Sequence, residues 1–329
     1  MSASSRFVWM DGKMVPFENA TVHMLTSGLH YGVAVFEGIR CYATPAGPAI
    51  FRHHEHMRRL LESARVLGFL ELPFTLEELK DAARQVVAAN GFHECYVRPL
   101  IYLGDGGWDL TLDSGRPHAS VAVWKWDAFL GQEAHERGVR ANVSSFTRHH
   151  SNVMMTKAKI SGNYANSVLA KTESKRLGFD EAIMLDPQGY VAECTGENIF
   201  LVRRGMLYTP PSATVLEGIT RDGLMVLADQ LGLKVVEQPI SRDQLYIADE
   251  VFVCGTAAEV IGLREIDGRA IGSGAVGPTT RLLQQEFSNV VHGRHALSAT
   301  WLDPVPLDAW RVVEAPLFQA DGLASSPGA

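Results

Sequence analysis

Two lysines set two residues apart, Lys157 and Lys159, stand in the stretch Met154-Met155-Thr156-Lys157-Ala158-Lys159-Ile160-Ser161-Gly162-Asn163-Tyr164, and Lys159 is the candidate nucleophile. Lysine is scarce in this chain: Lys13, Lys80, Lys125, Lys157, Lys159, Lys171, Lys175 and Lys234 are all of it. An amine held among apolar and small residues therefore needs a reason. A free ε-amine titrates near about 10.4, and burial or a neighbouring cation lowers that value. A lysine so tuned attacks an aldehyde and forms an imine. Both lysines also fit a plain reading as solvated loop charges.

Three other stretches bear on that choice. In Leu216-Glu217-Gly218-Ile219-Thr220-Arg221 a glycine and a threonine open a helix, whose free amides and dipole favour an anion. Gly255-Thr256-Ala257-Ala258-Glu259 is a small-residue turn straight after an apolar strand, and such a turn can aim successive N–H groups at a carboxylate or phosphate. Glu193, in Tyr190-Val191-Ala192-Glu193-Cys194-Thr195-Gly196-Glu197-Asn198, is a carboxylate among apolar strand neighbours. Taken singly, these are equally an ordinary helix cap, a tight packing turn and a side chain on the exposed strand face. Together they supply an aldehyde anchor, a phosphate cradle and a partner for a pyridine nitrogen, which is what a pyridoxal phosphate enzyme needs.

Composition narrows the class of protein. With 329 residues, two domains are the default. The hydrophobic fraction of 46% and charged fraction of 20% are those of a globular protein, and a net charge of -7 argues against a nucleic-acid partner. No apolar run reaches membrane-spanning length and Met1 to Arg6 lacks an apolar signal core, so a cytoplasmic protein with no membrane partner is expected. Cys41, Cys95, Cys194 and Cys254 lie far apart in strand-like runs and read as buried apolar residues. The histidines of His53-His54-Glu55-His56 and His149-His150 read as surface or helix-start residues, and no metal site is expected.

The elements that must position these residues follow from periodicity and punctuation. Phe7 to Phe17 reads as a hairpin around Asp11-Gly12, and Tyr31 to Tyr42 as a short helix leading into a strand. Helical spacing covers His53 to Leu67, stopped by Gly68; Thr75 and Glu78 announce another helix running to Asn90-Gly91. Strands are expected at Cys95 to Leu103 and Ala119 to Trp126. The polar stretch from Gly131 to Gly138 marks a domain boundary. Beyond it come a strand at Val139 to Ser145, a helix from Asn163 to Leu177, and strands at Glu181 to Leu185, Tyr190 to Glu193, Asn198 to Val202 and Met206 to Tyr208. A helix over Thr220 to Leu231, strands at Glu250 to Val253 and Val260 to Leu263, and a helix over Thr279 to Val291 complete the pattern. After Asp303 the prolines, glycines and serines read as a loosely held tail.

The segments Tyr31 to Arg40 (with Phe-Glu-Gly-Ile-Arg), Tyr96-Val97-Arg98-Pro99, Lys159 to Tyr164, Glu193 to Asn198, Leu216 to Arg221 and Gly255 to Glu259 resemble those of branched-chain amino acid aminotransferases. These are class IV aminotransferases, of the fold-type IV group of pyridoxal phosphate enzymes. The resemblance runs from about Phe7 to Asp303. It implies an α/β fold of two domains, a small N-terminal α/β domain at 1–130 and a larger C-terminal one at 139–303, with a linker at 131–138 and a tail at 304–329. The cofactor would lie between the domains, and a second subunit would supply part of each site.

On the same resemblance, Lys159 anchors pyridoxal 5'-phosphate and shuttles the proton, Glu193 holds the pyridine nitrogen protonated, and Tyr164 donates to the ring oxygen. Arg59, Gly218 and the amides of Ile219, Thr220 and Thr256 bind the phosphate. Tyr96 and the amides of Ala257 and Ala258 take the substrate carboxylate, and Phe36, Trp126 and Tyr164 its branched side chain. Arg98, with Tyr31 from the partner subunit, receives the distal carboxylate of glutamate. Arg40 reads as a structural ion pair near the site. The implied activity is reversible ping-pong transfer of the amino group of L-leucine, L-isoleucine or L-valine to 2-oxoglutarate, in a homodimer or higher homo-oligomer with shared sites. Two departures, Phe129 where some relatives carry tyrosine and the Gly104 to Ser114 loop, bear on side-chain preference. Alternatives are another class IV enzyme, such as an (R)-amine or D-amino acid aminotransferase or an aminodeoxychorismate lyase, and a non-catalytic protein on the same scaffold.

Overall fold

The computed structural model describes residues 5–106, 109–113, 115–126 and 132–306. Strands β1 (Phe7–Met10) and β2 (Lys13–Pro16) pair as an antiparallel hairpin. Helix α1 (Ser27–Tyr31) ends where the sequence places a helix start. Gly32 stops it in the left-handed conformation, φ 68°, and its N–H donates to Gly28. Then come β3 (Ala34–Phe36), β4 (Ile39–Thr44) and β5 (Gly47–Phe51). Helices α2 (His53–Leu67) and α3 (Leu76–Asn90) have the expected limits, with glycines in the left-handed conformation at both C-termini and a Thr75/Glu78 capping box on α3.

Strands β6 (Cys95–Leu103) and β7 (Pro117–Trp124) complete this half, in which the order is β5-β4-β6-β7-β1-β2, with β3 also on β6. The apolar stripes of α2 and α3 bury Met57, Leu60, Leu79, Val86 and Val87 against it.

The stretch expected as a linker contains helix α4 (Gln132–Arg137), whose Ala134 packs into the core of the second half. That half contains β8 (Val139–Val143), α5 (Tyr164–Arg176), β9 (Glu181–Leu185), β10 (Val191–Cys194), β11 (Asn198–Arg203) and β12 (Met206–Thr209). It continues with α6 (Ile219–Gln230), β13 (Val235–Glu237), α7 (Arg242–Tyr246), β14 (Glu250–Gly255), β15 (Glu259–Ile266), β16 (Arg269–Ala270) and α8 (Pro278–Val291). Its sheet runs β10-β9-β8-β15-β14-β11-β12-β13. Pairing is antiparallel except between β8 and its neighbours β9 and β15, and between β12 and β13.

The chain then returns to the first sheet. After α9 (Ser298–Trp301), strand β17 (Leu302–Pro304) pairs with β5, and Val305 is buried with its N–H on Pro48. The expected tail is therefore held through its first residues, and 307–329 lie outside the described residues. Among the described residues no helix is long and apolar enough to cross a membrane, and no three metal-ligating side chains gather.

The lysine stretch also belongs to the first sheet's packing. Ala158 and Ile160 are buried in that core, Ile160 bridges to Val35, and the Phe36 N–H donates to the Lys159 carbonyl at 3.1 Å. The Lys159 N–H donates to Ser63 Oγ at 3.0 Å. Gly32 makes this contact possible, because a Cβ on it would stand 2.8 Å from Gly162 Cα.

Candidate functional site

The backbone clamps on the lysine stretch fix where each lysine points. Lys159 Nζ lies 2.6 Å from Tyr164 Oη and over the rings of Phe36 and Tyr164, 5.1 Å from each centroid. Lys157 turns outward and pairs with Glu217 at 2.8 Å. Tyr164, the first residue of α5, packs edge-on against Phe36 at 4.8 Å. A single amine and a phenol therefore share one hydrogen bond beside an aromatic wall.

The anion cradle forms at the start of α6. Gly218 is its extended N-cap and no side chain caps the helix, so the first amides are left to a ligand. Glycine is required here, since a Cβ would fall 1.9 Å from Asn198 Oδ1. Arg59 reaches the same place from α2, with Nη1 donating to the Glu217 carbonyl at 2.6 Å. Arg221 points elsewhere, to Glu237 and the Pro210 carbonyl.

Glu193 is buried, as all four residues of β10 are, so an exposed strand face is not available to it. Its carboxylate pairs with Arg148 at 2.7 Å and accepts from Asn198 Nδ2 and the Leu216 N–H, each at 3.3 Å. A carboxylate so held can keep a ring nitrogen protonated.

One cavity is lined by Arg59, Arg148, Lys159, Tyr164, Glu193, Gly218, Ile219, Thr220 and Thr256. A second, of about 440 Å³, is lined by Phe36, Gly38, Tyr96, Arg98, Trp126, Val168 and Ala257, and shares Lys159, Tyr164 and Thr256 with the first. Tyr96 stacks on Trp124 at 5.0 Å and lies 4.7 Å from Trp126. The Arg98 guanidinium sits over Phe36, Tyr96 and Trp124 at 4.7, 5.4 and 5.6 Å. An aromatic wall with a guanidinium set in it is chemically suited to either an aliphatic or an acidic side chain.

Two expected residues are not brought to these cavities. Ala258 is buried within the turn and lines neither. Tyr31 is 45% exposed on α1, outside both linings. Phe129 lies outside the described residues, as do residues 107, 108 and 114 of the Gly104 to Ser114 loop.

Several site residues escaped the sequence reading. Arg148 has no local signal, because its partner is brought to it only by the fold. Glu197 is buried and lines both cavities; desolvation and then the Glu181 charge push its carboxyl up to about 8. His56 is buried on Glu37, and His53 on Asp303, rather than at the surface. Cys194 and Cys254 line the first cavity, but burial raises both thiols well above their ordinary range, so neither serves as a nucleophile.

The donor set fits pyridoxal phosphate: an amine for the aldehyde, an uncapped helix start with a guanidinium for the phosphate, and a buried carboxylate for the pyridine nitrogen.

The family model for amino-transferase class IV matches residues 34–266. The branched-chain-amino-acid aminotransferase of Pseudomonas aeruginosa is 46% identical over 294 residues, covering 89% of this chain and 95% of that protein. The Escherichia coli K12 enzyme of the same name is 44% identical over 301 residues, covering 91% and 97%. Among solved structures, the Escherichia coli branched-chain amino acid aminotransferase superposes with a TM-score of 0.89 at 43% identity, covering 92% of this chain and 100% of that one. The enzyme of the same name from Thermoproteus uzoniensis, solved with norvaline, gives 0.87 at 41%, covering 92% and 100%. That from Thermobaculum terrenum, solved in its PLP form, gives 0.85 at 36%, covering 92% and 99%. With its lysine, cradle and buried carboxylate around one cavity, this chain belongs to the branched-chain amino acid aminotransferases, within class IV of the aminotransferases.

Proposed function

We propose that the chain transfers the amino group of L-leucine, L-isoleucine or L-valine to 2-oxoglutarate, reversibly and in two half-reactions, with Lys159 as the catalytic residue. The observation that carries this is the shared wall: Lys159 and Tyr164 line both the cofactor cavity and the aromatic cavity holding Arg98. Bound pyridoxal phosphate supplies the electron sink for the pair left on the substrate carbon when its proton departs. Lys159 Nζ takes that proton from the substrate carbon and would deliver it to the carbon that was the cofactor's aldehyde. Glu193, paired with Arg148, favours the positive ring that draws those electrons. Tyr164 Oη, which accepts from the Lys159 amine, would donate its own proton to the ring oxygen.

Arg59 with the amides of Ile219, Thr220 and Thr256 grips the phosphate, and Gly218 leaves them room. Tyr96 and the amide of Ala257, which line the substrate cavity, take the substrate carboxylate. Phe36 and Trp126 enclose the branched side chain, and Arg98 meets the distal carboxylate of glutamate. The same reading makes the two sheets two domains divided near Gly131, in a cytoplasmic protein. It also makes the protein at least a homodimer. Met24, Leu29 and Val168, exposed by 69%, 59% and 62%, with Leu25, Met155 and Leu169, are large apolar side chains left at the surface that a second copy could cover, and Val168 lines the substrate cavity. Tyr31, exposed on α1, would serve the partner subunit's site.

The test is a half-reaction: mix the pyridoxal phosphate-loaded protein separately with L-leucine, D-alanine and (R)-1-phenylethylamine and follow its visible absorbance. Rapid bleaching by L-leucine alone supports the reading. Bleaching chiefly by either of the others reassigns the pocket.

A further inference from the structure

Glu37 lies between β3 and β4 and is fully buried, with a relative exposure of 0%. Its Oε1 accepts from Arg59 Nε at 2.6 Å, and its Oε2 from Arg59 Nη2 at 2.9 Å, from His56 Nδ1 at 2.7 Å and from the Gly38 N–H at 3.3 Å. Carboxylate and guanidinium thus meet side-on through two parallel bonds, the geometry that fixes an arginine in a plane. With Nη1 on the Glu217 carbonyl, two of the five N–H donors of Arg59 remain for a ligand. They belong to a side chain that lines the cavity with Gly218, Ile219 and Thr220.

We propose that Glu37 is a positioning residue for cofactor binding: without touching the ligand, it locks Arg59 in the orientation that presents those two donors to the 5'-phosphate. One three-residue segment then serves both ends of the site. Phe36 and Gly38 line the substrate cavity, while Glu37 is directed to the arginine at the phosphate end.

The electrostatics agree with a role in orientation. Burial opposes the Glu37 charge, yet Arg59 and His56 together hold its carboxyl well below the usual range. Burial also keeps His56 below its ordinary range in spite of Glu37, and its Nδ1 gives the carboxylate a second fixed partner at 2.7 Å. Because the ion pair offsets the charge of Arg59, what Glu37 adds for the phosphate is direction.

The inference rests on the assignment of the phosphate to Arg59 and the start of α6, and the experiment separates the two. Equilibrium binding of pyridoxal phosphate and of pyridoxal, which lacks the phosphate, is measured by fluorescence titration of apo wild type, Glu37→Gln, Arg59→Met and the double variant. Glu37→Gln should weaken pyridoxal phosphate binding by about 10- to 100-fold, the range for a lost hydrogen bond to a charged group, and leave pyridoxal binding nearly unchanged. In the Arg59→Met background Glu37→Gln should have no further effect on the phosphorylated ligand. If Arg59→Met leaves the preference for the phosphate intact, the phosphate assignment itself is wrong. If Arg59→Met abolishes that preference while Glu37→Gln alone does not reduce it, or weakens both ligands equally, the role of Glu37 is overturned. Arg59→Lys tests the same point should Glu37→Gln fail to fold. Lysine keeps the charge but cannot make the side-on pair, so the preference should fall; a wild-type preference would overturn the proposal.

Discussion

Arg148 Nη2 stands 2.7 Å from Glu193 Oε1, and both side chains are almost wholly withdrawn from solvent, at 10% and 7% exposure. Two charges so placed depend on each other, since neither has water to fall back on. Glu193 has Asn198 and the Leu216 amide as further donors, but Arg148 is its cation. Arg148→Met should therefore leave an uncompensated buried carboxylate and lower the stability of the apo protein by about 3 kcal/mol. On the proposed assignment, the protonated ring nitrogen of pyridoxal phosphate would be a second cation for Glu193 and should restore part of that loss. Denaturant unfolding of both proteins with and without the cofactor measures the difference, and an equal deficit in the two states would disconnect Arg148 from the cofactor site. Glu193→Gln should retain the cofactor and slow turnover sharply; unchanged turnover would remove Glu193 from the mechanism.

The two lysines of the central stretch are told apart by their neighbours. Lys159 meets Tyr164 in the cavity and Lys157 meets Glu217 outside it. Lys159→Ala should abolish covalent capture of pyridoxal phosphate and reduce transfer by at least about 10²- to 10⁴-fold, the span for a lost general acid–base group. Lys157→Ala should keep both. Borohydride reduction followed by intact-mass measurement reads capture directly: an adduct on Lys159→Ala, or its absence from Lys157→Ala, would contradict the assignment.

Gly38 is a close approach rather than a turn. A Cβ built on it would lie 1.8 Å from Tyr96 Oη, so Gly38→Ala must drive the tyrosine hydroxyl away. Tyr96 packs on both Trp124 and Trp126, themselves 6.1 Å apart, which limits where its ring can move. Because Tyr96 lines only the substrate cavity, the KM for L-leucine should rise by about tenfold or more while the affinity for pyridoxal phosphate stays within about twofold, the former amounting to one substrate hydrogen bond. Steady-state kinetics beside a cofactor titration distinguishes this from general damage, which would move both.

Features written in consecutive residues were legible in the sequence. Helices α2 and α3 were bounded by their capping and stop residues, and the lysine, cradle and turn stretches stood out because each keeps its chemistry within a few positions. What depends on distant partners was not legible. The alternating pattern of β10 places Glu193 on either face, and only a sheet covered on both sides removes the exposed choice. Arg148 reads as one more polar residue before His149 until the fold sets it on Glu193. The polar stretch Gln132–Arg137 carries no apolar stripe, yet it forms a helix, with Ala134 inside the second core. Similarly, β17 gains its strand character from the edge of β5, and its Asp303 from His53 and Arg84.

Glu197 gives the protein a pH dependence whose sign can be stated. Its carboxyl lies among Glu181, Lys171, Lys159 and the Gly196 N–H. Burial, reinforced by the Glu181 charge, raises it from 4.5 to about 8. Between those values the native chain holds a proton that the unfolded chain has released, so the native state binds more protons and its stability falls as the pH rises. Glutamine in the same place cannot ionise and lacks this dependence. Glu197→Gln should therefore gain thermal stability relative to wild type as the pH is taken from about 5 to about 8.5, with the change concentrated in that window. Groups shared by the two proteins cancel to first order in the difference, which isolates the one carboxyl together with its coupling to Glu181 and Lys171. A melting-point difference that stays constant across the range would mean that Glu197 is already ionised at the lower end. The neutral carboxyl at the wall between the two cavities would then have to be given up.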